Sequence, residues 1–231
     1  MIAVLAAMTE ELAPLCGELA YTKVYANKVV CVQQTEGDRP LLLVQTGIGK
    51  ANAAAAAAIV IERFHPRALI NIGSAGGFAP HVKVGDVVVG TETLYSDVDA
   101  TCFNYQLGQV PQMPPAYPGD ENLLAAARRL AAEEEFASRV AFGPILTADS
   151  FMSDPARVSV IRADFPQAFA SDMEGAAIAE AAYQCGVPFL NVRSISDIAG
   201  QKAAESFDEN LDLAAMRAAS FFRRLAAAIY A

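Results

Sequence analysis

Three groups of acidic residues each follow directly on an apolar run: Glu10 and Glu11 after IAVLAAM, Asp172 and Glu174 around Met173 after QAFAS, and Asp197 after FLNVRSIS. A carboxylate at such a place has two physical uses. It can cap or charge-balance the helix that follows, or it can face a ligand at the carboxyl edge of an open α/β sheet. The stretch NIGSAGGF (71–78) adds Gly73, Ser74, Gly76 and Gly77 just past a buried strand. Small residues there let a ligand approach the backbone and its N–H donors. Acids from three distant strand ends, with a glycine-rich turn beside them, favour a converging site over three unrelated caps. Several carboxylates without a histidine cluster suit cleavage of a glycosidic bond. One acid activates water and another protonates the leaving group, through an oxocarbenium-like transition state. Arg193 and Ser196, close to Asp197, can orient water or neutralise charge, although an ordinary structural ion pair would also account for Arg193.

Two phosphate-binding motifs fail on inspection. TGIGKANA (46–53) would need Gly in place of Val44 and Ser or Thr in place of Ala51 to be a Walker loop. Gly47 and Gly49 lack the third Gly of a dinucleotide fingerprint. A tight strand-to-helix turn remains.

The elements that must position these residues alternate along the chain. Strands are expected at 2–7, 28–35, 40–46, 68–73, 85–99, 139–146, 167–173 and 187–196, and helices at 50–64, 119–136, 154–165, 175–186 and 206–230. Helices crossing back over strands predict an α/β domain of three αβα layers around a central mixed, twisted sheet, spanning 1–231 as a single domain. The loop at 99–120, rich in Pro, Tyr and Gln, is long enough to require a functional or interfacial role.

Composition narrows the partners. Hydrophobic residues are 54% and charged residues 19% of the 231, so core burial is ample and part of the surface is expected to meet a partner subunit. A formal net charge of -9 without a Lys/Arg cluster argues against nucleic acid. Cys16, Cys31, Cys102 and Cys185 have no metal-ligand spacing and only His65 and His81 as companions. They read as reduced thiols of a cytoplasmic protein. No signal peptide and no charge-free apolar run of about 18 residues is seen, so no membrane association is expected.

Taken in order, AAMTEEL, TGIGKANAA, NIGSAGGF, GDVVV, DVDATCFNYQLGQVPQMP, SDMEGAAIA and VRSISDIAG resemble the 5′-methylthioadenosine/S-adenosylhomocysteine nucleosidases of the nucleoside phosphorylase superfamily, nearly end to end. The resemblance implies hydrolysis of the adenine–ribose bond of those two nucleosides, with 5′-deoxyadenosine a further candidate, in methionine salvage. It implies no metal and no cofactor. Glu11 matches the general base, which holds the attacking water with Ser74 and Arg193. Asp197 matches the acid to adenine N7, and Glu174, with Met173 beneath the sugar, the ribose site. Phe151, Met152 and Ser196 join Asp197 around adenine. Met8, Ile48 and Phe207 match the 5′-substituent pocket, completed by Phe103 and Tyr105 of the other subunit of a homodimer, which gives the 99–120 loop its role. The base must be ionised and the acid protonated, so the two need opposite environments.

A phosphate-dependent nucleoside phosphorylase shares the fold, but here AAMTEEL and Asn71 stand where bacterial relatives of that kind carry a Gly-Asp-Pro-type loop and an Arg. Glu11 would also repel the phosphate dianion. Aminodeoxyfutalosine or futalosine hydrolysis stays open as an alternative, and a non-catalytic nucleoside binder would have no use for both a base and a proton donor.

Overall fold

The computed structural model describes residues 1–16, 21–26, 29–36 and 39–230; the side chains of 21–36, Cys31 among them, lie outside the described part. In chain order the elements are β1 (Ile2–Ala6), α1 (Thr9–Cys16), β2 (Tyr21–Ala26), β3 (Val29–Glu36), β4 (Arg39–Gln45), α2 (Lys50–Phe64), β5 (Ala68–Gly77) and β6 (Val87–Tyr95). A 3-10 turn at Thr101–Phe103 and β7 (Tyr117–Pro118) follow. Then come α3 (Glu121–Ala131), β8 (Val140–Thr147), α4 (Pro155–Asp164), β9 (Ala170–Asp172), α5 (Gly175–Cys185), β10 (Phe189–Ile198) and α6 (Ala203–Tyr230).

The strands form one mixed sheet in the order β2-β3-β4-β1-β5-β9-β8-β6-β10, with β7 on β6. β10 also pairs with β5, so β5, β9, β8, β6 and β10 close on themselves as a ring. Strand parity sorts the two faces. Ile2, Val4 and Ala6 of β1 pack in the same core as Leu12 and Leu15 of α1, Leu123 and Ala127 of α3, and Phe221, Phe222 and Leu225 of α6. Ala3 and Leu5 face the other way, with Ala53, Ala57 and Val60 of α2 and Ala176 to Ala179 of α5. The expected three αβα layers follow. The alanine-rich helix buries Ala53, Ala56, Ala57, Val60 and Ile61, the i, i+3, i+4, i+7, i+8 stripe that lets its backbone approach the sheet closely.

Two local expectations are corrected. The glycine-rich stretch is not a turn after a strand: β5 runs on to Gly77, paired with β10 up to Ile198 and with β9 at Gly76 and Gly77. Asp197 likewise lies inside β10, not beyond it. α1, β2 and β7 are elements that the sequence reading passed over. α1 is short and contains Pro14, which weakens its helical signal.

Candidate active site

A cavity of about 320 Å³ opens beyond the carboxyl ends of the parallel strands, at the expected place for a ligand in such a sheet. Met8, Glu11, Ile48, Ser74, Phe151, Met152, Met173, Glu174, Arg193, Ser196, Asp197 and Phe207 all line it. Phe103 and Tyr105 do not. They sit on the 99–120 loop, and Phe103 is 74% exposed.

Glu11 both caps α1 and lines the cavity. It is the third residue of α1, and its Oε2 accepts from the backbone N–H groups of Ala7 (3.0 Å) and Met8 (3.2 Å), half of a capping box. Oε1 turns to β5, where it accepts from Ser74 N–H (2.9 Å) and the Ser74 hydroxyl (3.0 Å). Four donors therefore fix a carboxylate that is 2% exposed. The approach depends on Gly73: a Cβ there would lie 2.5 Å from Glu11 Oε1 and 2.6 Å from Arg193 Nη1.

Arg193, 1% exposed, joins the carboxylates. Its Nε is 3.0 Å from Asp172 Oδ2 and donates to Asn191 Oδ1 (3.1 Å); Nη2 donates to Glu174 Oε2 (3.3 Å) and Nη1 to the Ser74 carbonyl (3.2 Å). Burial works to lower its pKa, but Asp172, Glu174 and Glu11 outweigh it and raise the guanidinium above its usual value. Asp172 is the helix cap of the second acidic group: Oδ1 accepts from the N–H groups of Glu174 and Gly175 and from the Thr147 hydroxyl (2.6 Å). That leaves the Glu174 side chain for the cavity, where Oε1 accepts from Gly49 N–H (3.0 Å). Burial pushes the Glu174 carboxyl up to about 7, against the pull of Arg193 and the Gly49 hydrogen bond.

Asp197 caps nothing. The ladder between β10 and β5 slips by one residue between Ile195 and Asp197, so Asp197 stands opposite Gly76. Burial raises its carboxyl to about 6, with the Ser196 hydroxyl, donating to Oδ2 at 2.9 Å, pulling the other way. Phe151 and Phe207 form a T-shaped pair, centroids 5.7 Å apart, between the segment after β8 and α6. The Met152 carbonyl accepts from Gly200 N–H (2.9 Å) and the Phe151 carbonyl from Ser153 N–H (3.0 Å), which anchors that segment while each oxygen keeps a second lone pair.

Sequence reasoning singled out Asp172 beside Glu174 without giving it a role, and it missed Asn191 and the backbone amide of Gly49. A signal for the asparagines exists: Asn71 and Asn191 interrupt two apolar strands, and they lie opposite each other, fully buried, with Asn71 Nδ2 donating to Asn191 Oδ1 (3.2 Å). Among the described residues no group of His, Cys, Asp or Glu is arranged to hold a metal ion, and no helix is long and apolar enough to cross a membrane.

Comparison with known proteins matches residues 1–227 to the Phosphorylase superfamily model. A 5′-methylthioadenosine/S-adenosylhomocysteine nucleosidase of Bacillus thuringiensis is 47% identical over 223 residues, 95% of each chain. A solved nucleosidase of the same kind from Colwellia psychrerythraea, in complex with adenine, superposes with a TM-score of 0.94 at 38% identity, over 98% of this chain and 94% of its own. The futalosine hydrolase of Helicobacter pylori superposes at 0.91 with 27% identity, over 97% of this chain and 96% of its own. The fold, the acid-lined cavity and these likenesses agree: the chain belongs to the phosphorylase superfamily, in its family of 5′-methylthioadenosine/S-adenosylhomocysteine nucleosidases.

Proposed function

We propose that the protein hydrolyses the N-glycosidic bond of 5′-methylthioadenosine and S-adenosylhomocysteine, releasing adenine and the 5-thio-substituted ribose, as a nucleosidase domain over residues 1–231. The observation that carries the reading is the division of labour between two buried acids. Among the described residues no cation acts on the Asp197 carboxyl, which burial raises to about 6, while Glu11 is held by four donors from the start of α1 and from Ser74.

The nucleoside lies with its purine at Phe151, Met152, Ser196 and Asp197, its ribose over Met173 and its hydroxyls on Glu174. Water sits against Glu11, Ser74 and Arg193. Asp197 gives its proton to N7 of adenine as the bond from C1′ to N9 breaks, so the bond's electron pair leaves on a neutral base instead of an anion. The ring carbon gathers positive charge, water adds its oxygen there, and Glu11 takes the water proton. Arg193 serves in this scheme as a fixed positive anchor for the surrounding carboxylates.

The 5′-substituent faces Met8, Ile48 and Phe207, with Ile48 51% exposed. An apolar thioether suits that wall, burial contributing about 0.8 kcal/mol per CH₂. In a homodimer, Phe103 and Tyr105 of the second copy cover it, which fits an aromatic side chain left exposed on a long ordered loop. The reading is tested by incubating the protein with methylthioadenosine, adenosylhomocysteine, aminodeoxyfutalosine and inosine, with and without phosphate, and following free base by chromatography. Adenine from the first two without phosphate is expected. Phosphate dependence, or release from aminodeoxyfutalosine alone, would overturn it. Sedimentation velocity, with a rise in KM for methylthioadenosine in Phe103→Ala, tests the dimer.

A further inference from the structure

α2 begins in a way that its own sequence does not explain. Its N-cap is Gly49, which supplies no capping side chain, its first turn contains no acid, and its first residue is Lys50. A cation at a helix N-terminus opposes the helix dipole. The missing cap comes from another part of the chain: Asp149, beyond β8, accepts from Lys50 N–H through Oδ1 at 2.8 Å. The Lys50 ammonium turns away from the helix to Asp97, beyond β6, donating to both carboxylate oxygens at 2.8 Å and lying 3.9 Å from Asp149 Oδ2. Asp97 in turn accepts from Asp149 N–H at 3.0 Å.

This clamp joins the ends of two strands and the start of a helix, and a site element hangs from each side. Next to Lys50 is Gly49, whose N–H meets Glu174 Oε1. Next to Asp149 are Ser150, Phe151 and Met152, which line the cavity. Gly49 has φ of 95° and a Cβ there would lie 3.1 Å from Asp149 Oδ1, so the backbone can take this path only without a side chain. The Lys50–Asp97 pair keeps 24% and 18% of its side chains exposed, and ion pairs in contact with solvent contribute about 1 kcal/mol or less to stability. Geometry is the larger effect, because a misplacement of about 1 Å can cost about a hundredfold in rate.

We infer that Lys50 is a positioning residue: through Asp97 and Asp149 it fixes the Gly49 amide against Glu174 and the 150–152 segment against the cavity, setting the ribose and purine subsites at one separation. The inference rests on the proposed reading of the cavity as a nucleoside site. The test is Lys50→Met, alone and combined with Glu174→Gln, with Lys50→Arg as the conservative variant. Adenine release from methylthioadenosine gives kcat and KM, and carbon-detected NMR gives the titration of the Glu174 carboxyl without substrate. Lys50→Met is expected to lower kcat/KM by roughly tenfold or more, and by a smaller factor when Glu174 is already Gln, where only the placement of the 150–152 segment is left to lose. The Glu174 titration is expected to move upward by about half a unit, since the Gly49 hydrogen bond favours the ionised form. Lys50→Arg is expected to restore part of both. Additive rate losses, or an unmoved Glu174 titration, would overturn the inference. Should the wild type release no adenine, the nucleoside reading falls, and the NMR titration still decides whether Lys50 holds Gly49 on Glu174.

Discussion

Replacing Asp197 by Asn keeps the side chain's shape and removes its transferable proton. Burial holds the carboxyl at about 6, against 3.8 for a free one. At pH 7 about one molecule in ten then carries the proton, where an unshifted carboxyl would carry it in about one in 1,600, so burial alone multiplies the proton-loaded form by about 150. General acid catalysis contributes about 10² to 10⁴. Asp197→Asn is therefore expected to lower kcat for adenine release from methylthioadenosine by about 10³-fold. The sign of the pH dependence follows. On the proposed roles, wild-type kcat/KM is expected to fall as pH rises past about 6, because Asp197 loses the proton it donates. It is expected to fall on the acid side as Glu174, at about 7, gains a proton and no longer accepts from both ribose hydroxyls. The optimum lies between, and the residual activity of Asp197→Asn keeps only the rising limb. The assay is chromatographic release of adenine from pH 5 to 9, with a melting curve to verify the fold. Turnover within tenfold of wild type, or an alkaline limb that survives the substitution, would refute the assignment of Asp197.

Other substitutions test neighbouring contacts. Ser196→Ala removes the hydroxyl donor at 2.9 Å from Asp197 Oδ2, which favours the ionised form; the alkaline limb of kcat/KM should move up by about half a unit to one unit, and a downward move contradicts the geometry. Gly73→Ala puts a methyl 2.5 Å from Glu11 Oε1, so kcat should drop by about a hundredfold or more, whereas retained turnover would mean that Glu11 needs no fixed position. Glu11→Gln turns an NH₂ toward two of four backbone or hydroxyl donors; adenine release should be abolished and the melting temperature lowered, with full activity ruling out Glu11 as base. The Glu174 carboxyl, raised from 4.5 to about 7, binds its proton more tightly when folded. Its contribution to stability is full below about pH 4.5 and is lost as pH rises through about 7, a change of about 3 kcal/mol. Urea unfolding from pH 4 to 8 should show that decline flattened in Glu174→Gln, and parallel curves for the two proteins would count against it.

The sequence made the layers legible because side-chain period survives in it: alternate residues of β1 serve opposite cores, and the alanines of α2 repeat at helical spacing. Glu11, Glu174 and Asp197 were legible as acids that follow apolar runs, and Arg193 by its closeness to Asp197. Phe151, Met152 and the 5′ wall came through family resemblance, since nothing in their spacing distinguishes them from core. Glycine hid the rest. β5 continues through Gly73, Gly76 and Gly77, but a residue without a side chain displays no alternation, so the strand read as a turn. The Gly49 amide that meets Glu174 is a backbone donor with no letter of its own. Asp172 looked the same as Glu174 on paper; only the hydrogen bonds divide one as cap from the other as cavity acid.

The closed ring of β5, β9, β8, β6 and β10 bears on how a substrate gets in. An open sheet can admit a ligand by peeling an edge strand, but β10 is laddered on both sides and offers no edge along Val192–Ser194. The floor around Arg193 is thus held from both sides, and opening it requires both ladders to break. The rim is built from other parts: the Met8 approach to α1, the Ile48 corner before α2, and the first turns of α6 with Ala204, Phe207 and Asp208. A ligand therefore reaches Asp197 past helix ends and corners and not through a sheet edge, so the route in leaves the ladder beneath Arg193 intact.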